Sequence, residues 1–96
     1  MPDTPVPGPA PAPQAMRVTL LTQADCALCD HARAVLARVA ADHPLHITEI
    51  GLATDEGRQL ALDAGVLFAP GVLLGGRPFA HGRLSERKLR RTLTAR

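Results

Sequence analysis

The chain has 96 residues, enough for one small core and too few for two. A formal charge of +2, two Phe and no Trp or Tyr argue against a basic nucleic-acid surface with stacking platforms, and they predict an aliphatic core. Two cysteines are too few for a secreted disulfide scaffold, so a close pair reads as catalytic or metal-binding in a reducing compartment.

Residues 1–15 alternate Pro2, Pro5, Pro7, Pro9, Pro11 and Pro13 with small residues. Prolines lack amide protons and favour extended, solvated backbone, so this stretch reads as a disordered, solubilising tail. It has no basic anchor of the kind a Pro-rich ligand carries. It also has no Lys, Arg or apolar run, so neither a signal peptide nor a transit peptide is read there. No apolar run is long enough to cross a bilayer. A cytoplasmic chain with neither a membrane nor a nucleic-acid partner is expected.

A single domain is expected over residues 16–96. Met16 to Leu21 is aliphatic and β-branched without strong alternation, as in a central strand covered on both faces. Thr22 to Asp25 forms a turn, and a helix follows from about Cys26 to Ala41, with Asp25 as its N-cap. Leu28, Ala32, Val35, Leu36 and Val39 recur at helical spacing, while Arg33 and Arg38 lie on the outer side. Pro44 bars continuation. Leu45 to Ile50 is a second strand, parallel to the first because a helix connects them.

Thr54 to Ala64 reads as a second helix, capped by Thr54 or Asp55 and stopped by Gly65. Gly71 to Leu74 is the third strand, Gly75-Gly76 a hairpin turn, and Arg77 to Ala80 a fourth strand whose Pro78 demands an edge. Ser85 caps a last helix to about Thr94, with Leu89 and Leu93 facing inward. The order β-α-β-α-β-β-α predicts an α/β protein: a four-stranded mixed sheet with helices on both faces.

The chemistry concentrates at Cys26-Ala27-Leu28-Cys29. A strand that ends on C-x-x-C, which in turn opens a helix, is the sequence form of a redox site. The helix N-terminus favours a thiolate at Cys26, through unpaired amides and the positive end of the macrodipole. Cys29, one turn on, is within reach of a disulfide. Closing so short a loop contributes about 2 kcal/mol, against about 5 for a 100-residue loop, which suits reversible turnover better than reinforcement. Asp25 and Asp30 flank the pair and oppose the thiolate, which predicts a moderately lowered Cys26 pKa and a reducing pair. The alternatives are inert thiols or a metal site. A structural zinc site needs four ligands, and His31, His43, His46 and His81 form no second close pair.

Residues 16–96 resemble the glutaredoxin and thioredoxin superfamily, and especially short bacterial glutaredoxin-like proteins. Three features carry the resemblance: Cys26-Ala27-Leu28-Cys29 at a strand-to-helix junction, Ala69-Pro70 before the third strand, and Gly82 before the last helix. It implies a minimal thioredoxin (glutaredoxin-like) fold and a thiol–disulfide oxidoreductase, with Cys26 as nucleophile and Cys29 as resolving thiol. Pro70 would be a cis-proline facing the pair, and Ala69, Pro70 and Gly82 would contact substrate. No bound cofactor is implied. The partners are a disulfide-bearing protein or thiol substrate and an electron donor, and the chain would act as a monomer.

The sequence departs from the glutaredoxin pattern. Ala27-Leu28 replaces the common Pro-Tyr, and Phe68-Ala69-Pro70 replaces Thr-Val-Pro. His81-Gly82-Arg83-Leu84-Ser85 carries no acid to receive the glutathione amine. Glutathione and a thioredoxin-reductase-type dithiol are therefore comparable as reductants. A non-catalytic redox-sensing or partner-binding module is the alternative, and metal or iron–sulfur binding through cysteines of two subunits is a more distant one.

Overall fold

A computed structural model of the chain describes residues 15–95. The tail expected over residues 1–15 falls, all but its last residue, outside them. The elements are β1 (Met16–Thr22), α1 (Ala27–Ala40), β2 (Leu45–Gly51), α2 (Asp55–Ala64), β3 (Gly71–Leu74), β4 (Arg77–His81) and α3 (Glu86–Thr94). This is the order read from the sequence, with strand ends one residue longer at Thr22, Gly51 and His81.

The four strands form one mixed sheet in the order β2-β1-β3-β4. β1 and β2 run parallel, from Met16 opposite Leu45 to Thr22 opposite Gly51, as their helical crossover requires. β3 runs antiparallel to β1, with Leu21 opposite Gly71 and Val18 opposite Leu74. The β3–β4 hairpin turns through Gly75 (φ 57°) and Gly76 (φ 82°), the positive-φ pair that a tight two-residue turn needs. Pro78 lies on β4, an edge strand, where its missing amide costs no ladder bond. A register shift between Val72 and Leu73 pairs Val72 with Ala80 and Leu73 with Pro78, so Phe79 is the extra residue of a bulge.

The helices cover the two faces unequally. α1 and α3 share one face with a core of Val18, Leu20, Ala32, Val35, Leu36, Val39, Val72, Leu74, Leu84, Leu89 and Leu93. Full burial of each Leu or Val contributes about 1.5–3 kcal/mol. On the other face, α2 packs a much smaller cluster of Leu21, Ala61 and Val66. β1 lies between the two layers, and so Val18, Leu20 and Leu21 are all buried.

Each helix end has a local cause. Thr54 Oγ1 accepts the Gly57 amide at 2.9 Å and caps α2. At its far end Gly65 adopts φ 71°, and the Val66 amide donates to the Ala61 carbonyl at 2.8 Å, closing a Schellman turn. Ser85 Oγ accepts the Lys88 amide at 3.1 Å at the start of α3. Polar groups also tie α1 to α3. Arg38 pairs with Glu86 at 2.9 Å, and Arg90 reaches Glu86 at 2.9 Å and Asp42 at 2.7 Å.

Candidate redox site

β1 delivers the chain to one end of the sheet at Thr22, and the turn after it sets up the cysteines. Asp25 takes φ 51°, a left-handed conformation that a short polar side chain tolerates better than most. That reversal moves the cap. Cys26 is the N-cap of α1, with extended backbone (φ −120°, ψ 101°), in place of the expected Asp25. The Cys29 amide donates to Cys26 Sγ at 3.1 Å, so the sulfur itself occupies the position a capping oxygen usually fills. The amides of Cys29 and Asp30 both donate to the Cys26 carbonyl at 3.1 Å.

Cys26 and Cys29 are joined as a disulfide with their Cα atoms 5.2 Å apart. Cys29 is fully buried, while Cys26 is partly exposed. The two sulfurs are therefore unequal: an incoming thiolate or disulfide meets Cys26, and Cys29 is shielded behind it. The helical phase explains the difference. Cys29 joins Ala32, Val35, Leu36 and Val39 on the buried face, and Leu28, expected on that face, is 36% exposed.

The flanking carboxylates are not equivalent either. Asp30 Oδ1 lies 2.7 Å from Arg33, which also holds Glu49 of β2 at 2.9 Å. These contacts, the hydrogen bond to Glu49 foremost, raise the Arg33 pKa above its ordinary value. The negative charge next to Cys29 is thus half of an ion pair, and an arginine assigned to the outer helix face supplies the other half.

The second half of the site comes from the start of β3 and the end of β4. Because Gly71 pairs with Leu21, Pro70 lies beside Thr22, where the cysteine turn departs. Ala69 and Pro70 are buried, and the peptide bond between them is cis. The Gly82 amide donates to the Pro70 carbonyl at 2.8 Å. Gly82 has φ 82°, and a Cβ there would sit 3.2 Å from Phe68 Cε1. Phe68 also packs edge-on against His81, with ring centroids 5.2 Å apart. The ends of β1 and β4 and the start of β3 therefore bring Cys26, Pro70 and Gly82 to one end of the molecule.

Sequence reasoning did not expect three apolar side chains of these segments to be exposed, and it placed Leu28 on the inward helix face. Leu28, Leu67 and Phe68 are 36%, 83% and 50% exposed. Their signal was a large apolar residue in the first turn of α1 and two more in a segment with no strand or helix periodicity. Among the described residues, no group of three or more His, Cys, Asp or Glu side chains is placed to hold a metal ion. No helix among them is long and apolar enough to cross a membrane.

The sequence pattern of the glutaredoxin-like domain (DUF836) family matches residues 17–94. The chain belongs to that family. No curated protein matches this glutaredoxin-like chain. Its fold is similar to that of a mutant thioredoxin from Halobacterium salinarum NRC-1, at 20% identity and a TM-score of 0.65, over 83% of this chain and 73% of that one. It is also similar to an uncharacterised thioredoxin-like protein from Clostridium perfringens, at 14% identity and a TM-score of 0.70, over 84% and 70% of the two chains. These similarities establish a thioredoxin-like fold for the glutaredoxin-like domain.

Proposed function

We propose that this glutaredoxin-like protein is a thiol–disulfide oxidoreductase that reduces protein or small-molecule disulfides. One observation carries the reading: a partly exposed Cys26 caps a helix and is bonded to a buried Cys29. In the reduced state the Cys26 thiolate attacks a substrate disulfide. One substrate sulfur leaves and takes up a proton, and a mixed disulfide forms on Cys26. Cys29 then loses its proton and attacks Cys26 Sγ, which releases the second substrate thiol and restores the Cys26–Cys29 disulfide. Two electrons from a donor, either a dithiol protein of the thioredoxin-reductase type or two glutathione thiols, return the pair to the reduced state.

The helix N-terminus and the Cys29 amide stabilise negative charge on Cys26 sulfur, as nucleophile and as leaving group. Ala69, Pro70 and Gly82 form the floor against which a substrate backbone would lie, and Leu28, Leu67 and Phe68 offer it apolar surface. The cycle needs no bound cofactor, acts in a monomer and belongs in the cytoplasm, where a donor keeps thiols reduced. Reduction of insulin or of a small mixed disulfide tests it. Cys26→Ser abolishes turnover, and Cys29→Ser accumulates a mixed disulfide through Cys26. A second reading, a redox-sensing module that binds a partner without turnover, is favoured by the exposed Leu28, Leu67 and Phe68. It predicts a reversible disulfide and state-dependent partner capture with no catalytic reduction.

A further inference from the structure

The two edges of the sheet meet solvent differently. β4 closes one edge with a strand of five residues that carries Pro78 and the bulge at Phe79, features that hinder the addition of another strand. β2 forms the other edge over seven residues, in unbroken register with β1 and with no proline, lysine or bulge. Ile47, Thr48 and Ile50 make it rich in β-branched residues, which suit strand pairing.

The hydrogen bonds at the two ends of the β1–β2 pair show which groups of β2 are left over. The Met16 amide donates to the Pro44 carbonyl at 3.0 Å, and the Leu52 amide donates to the Thr22 carbonyl at 2.8 Å. Bonded residues alternate along a parallel ladder, so His46, Thr48 and Ile50 turn their amides and carbonyls toward β1. The amides and carbonyls of Leu45, Ile47 and Glu49 therefore point away from the sheet. Gly51 has the same phase, but its carbonyl accepts the Thr54 amide at 3.1 Å, which ends the open stretch.

This stretch is complementary to itself. An identical strand laid antiparallel about a two-fold axis at Ile47 sets Ile47 against Ile47 and Leu45 against Glu49. Each such pair exchanges both amide–carbonyl bonds, so every outward group from Leu45 to Glu49 is satisfied. The side chains agree with this register. Leu45, Ile47 and Glu49 pair with Met16, Val18 and Leu20, which puts them on the face covered by α1 and α3. Ile47 is 39% exposed there, and the axis covers it with its own copy. Arg33 Nε holds both oxygens of Glu49, at 3.0 and 2.9 Å, and that carboxylate meets Leu45 of the second copy rather than another acid. The ladder opposes no like charges.

We propose that the β2 edge is the contact between two copies of this chain, joined antiparallel through residues 45–49 into one sheet with four strands from each copy. A single ladder is a small contact, so the copies associate weakly and reversibly. It uses no residue of the redox end, so each copy keeps a complete site and turnover is confined to one chain. The proposal does not depend on the redox reading.

Sedimentation equilibrium and amide spectra of the reduced ¹⁵N-labelled chain, from about 10 µM to about 1 mM, test it. The Cys26→Ser/Cys29→Ser chain is run in parallel, so that an intermolecular disulfide is not mistaken for the ladder. The expected result is a monomer–dimer equilibrium within that range, with the Leu45, Ile47 and Glu49 amides shifting and gaining protection from exchange as the dimer fills. In a mixture of ¹³C-labelled and unlabelled copies, the Hα atoms of His46 and Thr48 should show a nuclear Overhauser effect between copies, because a non-hydrogen-bonded antiparallel pair brings its Cα atoms to about 4.5 Å. Ile47→Lys sets two like charges at the axis and should raise the dimer dissociation constant about tenfold, with the melting temperature of the dilute chain retained. A monomer throughout the range, a dimer that Ile47→Lys does not weaken, or shifts centred on Leu28, Leu67 and Phe68 overturns the proposal. So does protection of the three β2 amides that is independent of concentration, which means that the chain covers its own edge.

Discussion

The amide of Cys29 donates to Cys26 Sγ across 3.1 Å, so the residue one turn into α1 both hydrogen-bonds the outer sulfur and carries the inner one. That bond belongs to the helix cap, so it should outlast opening of the disulfide. The outer sulfur then holds its charge against a backbone donor at the positive end of α1. In the reduced protein, Cys26 should react with iodoacetamide well before Cys29, with a pH midpoint below that of a free thiol. Timed alkylation followed by peptide mass spectrometry reads both. Equal labelling of the two cysteines would contradict the assignment of roles.

Gly82 is held at φ 82° by its bond to the Pro70 carbonyl and is closed in by Phe68. Gly82→Ala should cost about 1–2 kcal/mol for the left-handed backbone, with a further loss from the contact with Phe68. Urea unfolding of Gly82→Ala, Phe68→Ala and the double variant separates the two. Phe68→Ala relieves the steric part and leaves the backbone part in place.

Glu86 links α1 to α3 through Arg38 and Arg90, and these guanidiniums, Arg38 first, hold its carboxyl below its ordinary pKa of 4.5. The unfolded chain binds this proton more readily than the folded one. The linkage therefore stabilises the fold above the ordinary value and is lost as pH falls from there through the lower folded value. Glu86→Gln should flatten that part of the acid limb of the stability curve. The side chain is 29% exposed, so 1 M salt, where the screening length is about 3 Å, should shrink the difference. Urea midpoints measured across the acid range in low and high salt check both statements.

Leu89 is fully buried between α3 and the sheet. Leu89→Ala should destabilise by about 2–5 kcal/mol, a transfer loss plus the cavity left behind. Leu67→Ser, at a site 83% exposed, should change stability by less than about 0.5 kcal/mol. If the apolar rim meets substrate, Leu67→Ser should raise KM for a protein disulfide while leaving reduction of a small disulfide unchanged. Denaturation curves and paired kinetic assays distinguish the two effects.

The order of elements along the chain, the helix count and the edge position of Pro78 were legible because each rests on a local rule. β1 reads as doubly covered from its unbroken apolar run, and the helical crossover dictates its parallel pairing with β2. The cap was misplaced because Asp is a good capping residue and the sequence does not show that Asp25 adopts positive φ. The same uncertainty of phase put Leu28 on the buried face, where Cys29 sits instead. The Arg33 bridge to Asp30 and Glu49 was hidden because it joins α1 to a strand sixteen residues away. The bulge at Phe79 depends on how β4 pairs with β3, which no pattern within β4 encodes. That β2 ends the sheet follows from the strand order, which no window along the sequence displays.

The unequal covering of the sheet divides the molecule into a firm side and a loose one. Eleven buried residues secure α1 and α3 to the sheet, while three secure α2. In hydrogen exchange, the amides of α2 should open through a partial unfolding event that leaves the rest of the chain protected. The cysteine pair is attached to the firm side, through Cys29 on the buried face of α1. Loosening or clipping of α2 would then be tolerated by the redox end long before it is lost, and residues 52–66 are where a protease or an inserted segment would enter first.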